Sequence, residues 1–345
     1  MTIKRSPFGL TKDGKAVELY TLEDSGTAVE IITYGAAIRS LTVPVKHGPD
    51  AGKARDVALG FDDVAGYESN KSFQGAIIGR IANRVGNAQY KMNNKTYNMD
   101  VNDGPNCLHG GFAGYDKKLW KAKEGQNSLT LTLLDEATKG LPGDLDAEVI
   151  YTLKKGELGI EYIARCSKDT PINLTNHCYF NLGGHNAGSI GDHKIQIFSD
   201  CITPIDDTLI PNGELMDVSG TPLDLRKQAL IGPGLEKSCQ QMDLAGGYDH
   251  NWVLSKEPHR ELSPAATLEY NDLKMTCMTT KPGIQFYSGN FLTGEIGKGG
   301  AVYAKRTGLC LETQYWPNSV NIPSFPAPLL RKGEIYNHLT VYKFE

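Results

Sequence analysis

A chain of 345 residues with 40% hydrophobic and 22% charged side chains has the makeup of a folded protein with a sizeable core, which excludes a disordered or low-complexity chain. Its 36 basic and 40 acidic residues leave a formal charge of -4 with no basic stripe, so nothing is arranged to neutralise a phosphate backbone and nucleic acid is excluded as a partner. No apolar run is long enough to span a bilayer, the first ten residues carry Lys4, Arg5 and Pro7 instead of a secretory core, and the seven scattered cysteines form no Cys-x-x-Cys pair; the expectation is a cytoplasmic protein with reduced thiols and no membrane partner.

Residues 28–33 alternate apolar and polar side chains with period two, which predicts a strand. The run at 79–86 places Arg80, Asn83 and Arg84 beside glycines that allow unusual backbone angles. Residues 102–106 are a turn cluster, and Leu108-His109-Gly110-Gly111 is a His-bearing turn. A lone Arg or His in a loop is ordinarily a surface residue, so neither segment argues for function by itself. Further alternation at 129–134, 149–153 and 159–164 predicts strands, with turn chemistry at 141–144.

The run 173–182 reads as a strand with Asn173, Thr175, His177, Tyr179 and Asn181 on one face and Leu174, Asn176, Cys178, Phe180 and Leu182 on the other. Five hydrogen-bonding side chains around an imidazole suit one wall of a polyol groove; a simply wet outer face is the plainer reading of one strand alone. Turn clusters follow at 211–213 and 232–234, and residues 247–252 form a polar cluster in which Asp249 is equally a turn cap or a ligand-binding carboxylate. At 283–287, Gln285 and Tyr287 oppose Ile284 and Phe286. At 308–316, Cys310, Glu312, Gln314 and Trp316 oppose Leu309, Leu311, Thr313 and Tyr315. A carboxylate so placed is partly desolvated, which raises its pKa toward that of a useful base; a structural Glu paired with an Arg is the competing reading. The proline-rich segment 322–329 predicts an extended surface strap before a final strand at 340–344.

With 38 Gly and 17 Pro there is little room for long helices, and strands without intervening helical periods predict an all-β fold. The expected architecture is one large antiparallel β-sandwich, with residues 1–345 as a single domain. The chain lacks His-x-His, His-Glu-x-x-His and Cys-x-x-Cys spacings, so no metal is expected. Gly-x-Ser-x-Gly, Walker A and dinucleotide patterns are also missing, which removes the main support for serine hydrolase, nucleotide hydrolase and dehydrogenase readings.

Five runs, taken together, carry a family resemblance: Gly-Arg-Ile-Ala-Asn-Arg-Val-Gly at 79–86, Leu-His-Gly-Gly at 108–111, Asn-Leu-Thr-Asn-His-Cys-Tyr-Phe-Asn-Leu at 173–182, Tyr-Asp-His-Asn at 248–251 and Cys-Leu-Glu-Thr-Gln at 310–314. In sequence and order they resemble the signature segments of the aldose 1-epimerase family, from about residue 34 to the final strand. The resemblance implies a supersandwich of the galactose mutarotase-like kind with an open sugar groove. It implies a cofactor-free isomerase that interconverts the α and β anomers of free hexoses such as galactose and glucose, working as a monomer or homodimer. It assigns the proton donor to His177, the proton acceptor to Glu312 and a second active-site histidine to His109. Sugar-binding positions fall on Asn83, Arg84, His109, Tyr179, Asp249 and Gln285. Cys178 stands where the resemblance leads one to expect Ser, on the strand face opposite His177. Two rivals stay open: a sugar-phosphate epimerase using Arg80 and Arg84 on the phosphate, and a carbohydrate-binding protein that has lost turnover, against which the presence of both His177 and Glu312 argues. With ordinary pKa values of about 4.3 and 6.5, an ionised Glu312 beside a protonated His177 would fade above neutral pH.

Overall fold

Period-two runs become sheets here because each has an apolar face to bury. The computed structural model describes residues 1–254 and 261–345. In it the alternating runs fall largely within the strands Thr27–Ile32, Leu129–Asp135, Leu145–Lys154 and Glu157–Cys166. Five strands from Thr2–Leu10 to Ala54–Asp56 form a meander in chain order. A nine-stranded antiparallel sheet has Glu157–Cys166, Tyr336–Phe344, Leu273–Thr279 and Ser263–Tyr270 at its centre. The third large sheet has six antiparallel strands, in the order Tyr179–Phe180, Leu309–Gln314, Gly283–Tyr287, Asp249–Val253, Cys201–Thr203 and Met216–Asp217.

The six-stranded sheet turns Phe180, Ile284, Phe286, Leu309 and Leu311 into the core. There they share one apolar cluster with Ile160, Tyr162, Met275 and Tyr342 of the nine-stranded sheet. The Phe180 and Tyr342 rings lie 4.9 Å apart, and the Tyr342 hydroxyl donates to the Leu311 carbonyl at 3.0 Å. This is the expected all-β, antiparallel sandwich. Among the described residues the α-helices are three, of five or six residues each, and none is long and apolar enough to cross a membrane.

Three expectations are corrected. Residues 173–182 are not one strand: Thr175–Asn176 pairs with Ile77–Ile78, and only Tyr179–Phe180 joins the six-stranded sheet. The break lies at His177, whose N–H donates to Ala76 O, while the Asn176 side chain accepts from Cys178 N at 3.0 Å and so takes a backbone donor away from any ladder. The turn expected at 232–234 is instead inside the short helix Ile231–Leu235. Arg80 does not face a ligand. It is buried, with Nε on Asp135 Oδ2 at 2.8 Å, Nη2 on Asp135 O, and Nη1 on Pro142 O, Gly143 O and Thr170 Oγ1.

Every guanidinium nitrogen of Arg80 is thus engaged in bracing loops that meet beneath the sandwich. Replacing it by Met leaves these acceptors without donors and is expected to cost about 3 kcal/mol or more of stability. Urea unfolding of Arg80→Met measures this; an unchanged midpoint would show that the brace contributes nothing.

Candidate active site

The strand register of the six-stranded sheet composes the site floor. On the face away from the core, Tyr179, Cys310, Tyr287 and Asp249 stand in one row across four strands, because Tyr179 pairs with Cys310, Cys310 with Tyr287 and Tyr287 with Asp249. The next row holds Glu312, Gln285 and Asn251. Extending the Tyr179–Cys310 register by two residues sets His177 opposite Glu312, although the backbone ladder stops at Tyr179. Cross-strand neighbours on one face lie close enough for their side chains to meet. His177 Nε2 accordingly stands 3.7 Å from Glu312 Oε1, and its Nδ1 lies 3.5 Å from Cys310 Sγ.

Loops outside the sheet close the other side. His109, on the turn after Cys107–Leu108, stacks edge-on against His177 with ring centroids 5.2 Å apart, and against Phe73 at 4.6 Å. Phe73, Asn83 and His109 all have left-handed backbones, with φ of 58°, 62° and 52°. Such angles are costly for residues with a Cβ, and their gathering around one cavity marks it as a functional place. Asn83 and His109 hold one another: His109 N donates to Asn83 O at 3.1 Å, and Asn83 N donates to His109 Nδ1 at 3.2 Å. Arg84 reaches Asp103 through Nε at 2.7 Å and stands 3.9 Å from Asp249.

These groups line a cavity of about 700 Å³ that contains His177, Glu312, His109, Asn83, Arg84, Tyr179 and Asp249. The seven are brought together from segments as distant as residues 83 and 312. Gln285 does not line it. Its Nε2 donates to Asp249 Oδ1 at 2.7 Å, and its Oε1 accepts from Gln314, so it holds Asp249 from behind. Asn173 and Asn181, expected on the groove face, instead tie loops through Ala82 O, Tyr315 O, Gly188 O and Thr307 O. Tyr287, read from its alternation as lying on the polar face of 283–287, lines the cavity, whereas the sequence reading missed Phe73 and Asp103 as lining residues. Nothing in the sequence signals the backbone angle that brings in Phe73. A larger cavity of about 940 Å³ lies beyond Pro105, Asn106 and Thr208, under the strap at 322–329, and none of the acid-base candidates reaches it.

Burial dominates the electrostatics. Glu312 is pushed well above the usual carboxylate range by desolvation and by the charge of Asp249, against the pull of Arg84. Its Oε2 is buried without a hydrogen-bond partner. Desolvation pushes His177 down to about 4 and His109 well below the usual imidazole value, the latter helped by the charges of His177 and Arg84. Asp249 is raised by burial, opposed by Arg84 and by the Gln285 donor.

The donor atoms of His109, His177 and Glu312 lie within 4.8 Å of one another, a set that resembles a metal triad. The His109 Nδ1 lone pair, however, receives the Asn83 N–H, so the neutral ring carries its proton on Nε2. A metal would have to displace that bond or strip that proton. The trio fits hydrogen bonding to a ligand better than metal coordination.

Known proteins resemble this chain in sequence and in fold. The family model described as aldose 1-epimerase matches residues 18–343. The chain is 42% identical to galactose mutarotase from Mus musculus over 347 residues, covering 100% of this chain and 99% of that protein. The chain belongs to the aldose 1-epimerase family. Aldose 1-epimerase from Escherichia coli is 36% identical over 342 residues, with 97% of each chain covered. Among solved structures, an aldose epimerase homologue from C. elegans superposes with a TM-score of 0.87 at 28% identity, over 96% of this chain and 99% of that one. Galactose 1-epimerase from Lactobacillus acidophilus gives 0.84 at 28% identity, over 100% and 98%. The fold of this family member is therefore galactose mutarotase-like.

The pKa directions have a consequence for folding. A carboxyl whose folded pKa is raised stabilises the fold below its unfolded pKa of about 4.3, and that contribution is lost as pH rises through the folded value. Glu312→Gln lacks this loss. It is expected to gain stability relative to the parent as pH rises above about 4.3, a trend that thermal melts from pH 4 to 8 would show and that a pH-independent difference in Tm would refute.

Proposed function

We propose that the cavity around His177 and Glu312 is where this enzyme, an isomerase, interconverts the α and β anomers of a free hexose such as galactose or glucose. Full-length relatives named galactose mutarotase and aldose 1-epimerase support the activity. The single observation that carries the site is the 3.7 Å contact between an imidazole and a carboxylate inside a polar cavity with ample room for a hexose.

Anomer exchange needs one base and one acid and no cofactor. Glu312 takes the proton from the C1 hydroxyl, the bond from C1 to the ring oxygen breaks, and His177 gives its proton to the ring oxygen. The open aldehyde rotates about C1–C2, and the same transfers run backwards to close the other anomer. Each group contributes about 10²- to 10⁴-fold. His109, with its proton fixed on Nε2, serves as a donor to a sugar oxygen, not as a base. Arg84, Asn83, Tyr179 and Asp249 offer hydroxyl partners, with Gln285 setting the orientation of Asp249; together they keep the reacting atoms aligned.

A sugar phosphate fits less well. Arg80 is engaged elsewhere, and Arg84 is already shared between Asp103 and Asp249. Apart from Glu312, whose burial favours the protonated form, the cavity lining holds Asp103, Asp207, Asp249 and Glu295 against Lys71 and Arg84, so a dianion would meet net repulsion.

The pair works with one proton in total. Neutral His177 with protonated Glu312, which burial favours, has the same proton count as imidazolium with carboxylate; the two differ by one shift across the contact. The one-proton state therefore extends from about pH 4, where His177 gains a second proton, up to the raised pKa of Glu312. The expectation of fading above neutral pH is replaced by a plateau with an acid limb near 4 and an alkaline limb displaced upward. Polarimetry of freshly dissolved α-D-galactose from pH 3.5 to 9 checks this; an alkaline limb near 6.5 would contradict it.

Glu312→Gln keeps shape but cannot take the C1 proton, so kcat should fall at least ~10²-fold with sugar binding largely retained. His177→Asn should impair turnover likewise. A folded Glu312→Gln enzyme as active as the parent would sink the assignment. Gln285→Leu removes a donor to Asp249 and is expected to raise KM about tenfold, at a cost near 1.4 kcal/mol; an unchanged KM would separate Asp249 from the sugar.

A further inference from the structure

Lys281 is a fully buried lysine that the acid-base chemistry does not use. It sits in the crossover between Leu273–Thr279 of the nine-stranded sheet and Gly283–Tyr287 of the six-stranded sheet. Its Nζ lies 3.8 Å from the centroid of the Tyr162 ring, inside the sandwich. From there it donates to two backbone carbonyls, that of Leu174 and, at 3.3 Å, that of Thr313. Leu174 is three residues before His177, and Thr313 follows Glu312 directly.

We infer that Lys281 is a positioning residue that fixes the separation of the catalytic acid and base by tying the backbone of the His177 segment to the backbone of the Glu312 strand. This rests on the assignment of His177 and Glu312 as the acid-base pair. The need for a tie follows from the fold. Gly283–Tyr287 pairs with residues 310–314 on one side, but on the other side Tyr179–Phe180 pairs only with Cys310 and Leu309, so no ladder bond joins the His177 segment to the strand at Glu312. Two N–H donors bridging the two segments replace the missing ladder bonds. Desolvation pushes the ammonium well below its ordinary pKa, and the neutral amine still carries two N–H groups, enough for both carbonyls. A buried cation is poor evidence for stability in itself, since an apolar residue of similar volume is often as stable or more so; a positioning role explains why an amine stands here.

The test compares Lys281→Met, an unbranched side chain one atom shorter that donates nothing, with Lys281→Gln, whose neutral amide restores two N–H donors. Polarimetric kcat and KM on galactose are measured for both, with Glu312→Gln as the reference for the pair. Lys281→Met is expected to lower kcat about tenfold with KM within twofold of the parent, since small misplacements of reacting groups act on turnover. Lys281→Gln is expected to recover most of that loss. A folded Lys281→Met with parental kcat, a loss confined to KM, or a Lys281→Gln no better than Lys281→Met overturns the inference. Should Lys281→Met fail to fold, Lys281→Gln decides alone: kcat within about threefold of the parent supports the tie, and a larger loss rejects it. An active Glu312→Gln would instead reject the acid-base assignment, so the two failures are distinguishable.

Discussion

The contact between His177 and Glu312 is made where water is largely excluded, and the rest of the site follows from that constraint. Burial makes both the imidazolium and the carboxylate costly, so neither charge can rest there alone. With one proton in total, neither group need carry an unpaired charge, and this is the proton count that the proposed ring opening uses. Desolvation thus costs stability at the same two side chains on which the proposed chemistry rests.

Holding such a pair needs rigid support, and the sheet provides it through register. Cys310 and Glu312, two residues apart on one strand face, flank the His177 ring at its two nitrogens. The neighbouring strands continue the rows with Tyr287, Gln285 and Asp249, so Glu312, its cross-strand neighbour Gln285 and the carboxylate that Gln285 orients are fixed by backbone pairing rather than by loops. The loops add what strands cannot: His109, Asn83 and Phe73 enter through left-handed backbone angles that turn their side chains over the floor. The N–H of Asn83, donated to His109 Nδ1, fixes the tautomer of His109 and with it the kind of contact that histidine can make.

The family relationship and the geometry meet on substrate class. A free sugar has hydroxyls on every side and no charge, and the cavity answers with polar groups of both signs already engaged with one another, Arg84 with Asp103 and Asp249 above all. The other arginine of the 79–86 run, Arg80, serves architecture, gripping the side chain and carbonyl of Asp135 and the loop carbonyls of Pro142 and Gly143. Two arginines four residues apart in one signature segment therefore serve unrelated ends.

The amino-acid sequence alone determined the all-β class, most strands, and the identity of the polar residues worth suspecting, because period-two alternation and the patterned segments are local properties of the chain. It placed Gly283–Tyr287 and Leu309–Gln314 and read Glu312 as a desolvated carboxylate. It could not break the run 173–182, because the break depends on Asn176 competing for a backbone donor and on two different partner strands, Ile77–Ile78 and Leu309–Gln314. Nor could it give Arg80 its structural partners, seat Gln285 behind Asp249, or find Phe73 and Lys281. Those outcomes rest on register between strands far apart in the chain and on burial. Register and burial decide which hydrogen-bonding groups meet and what their charges cost, and neither exists before the sheets have packed.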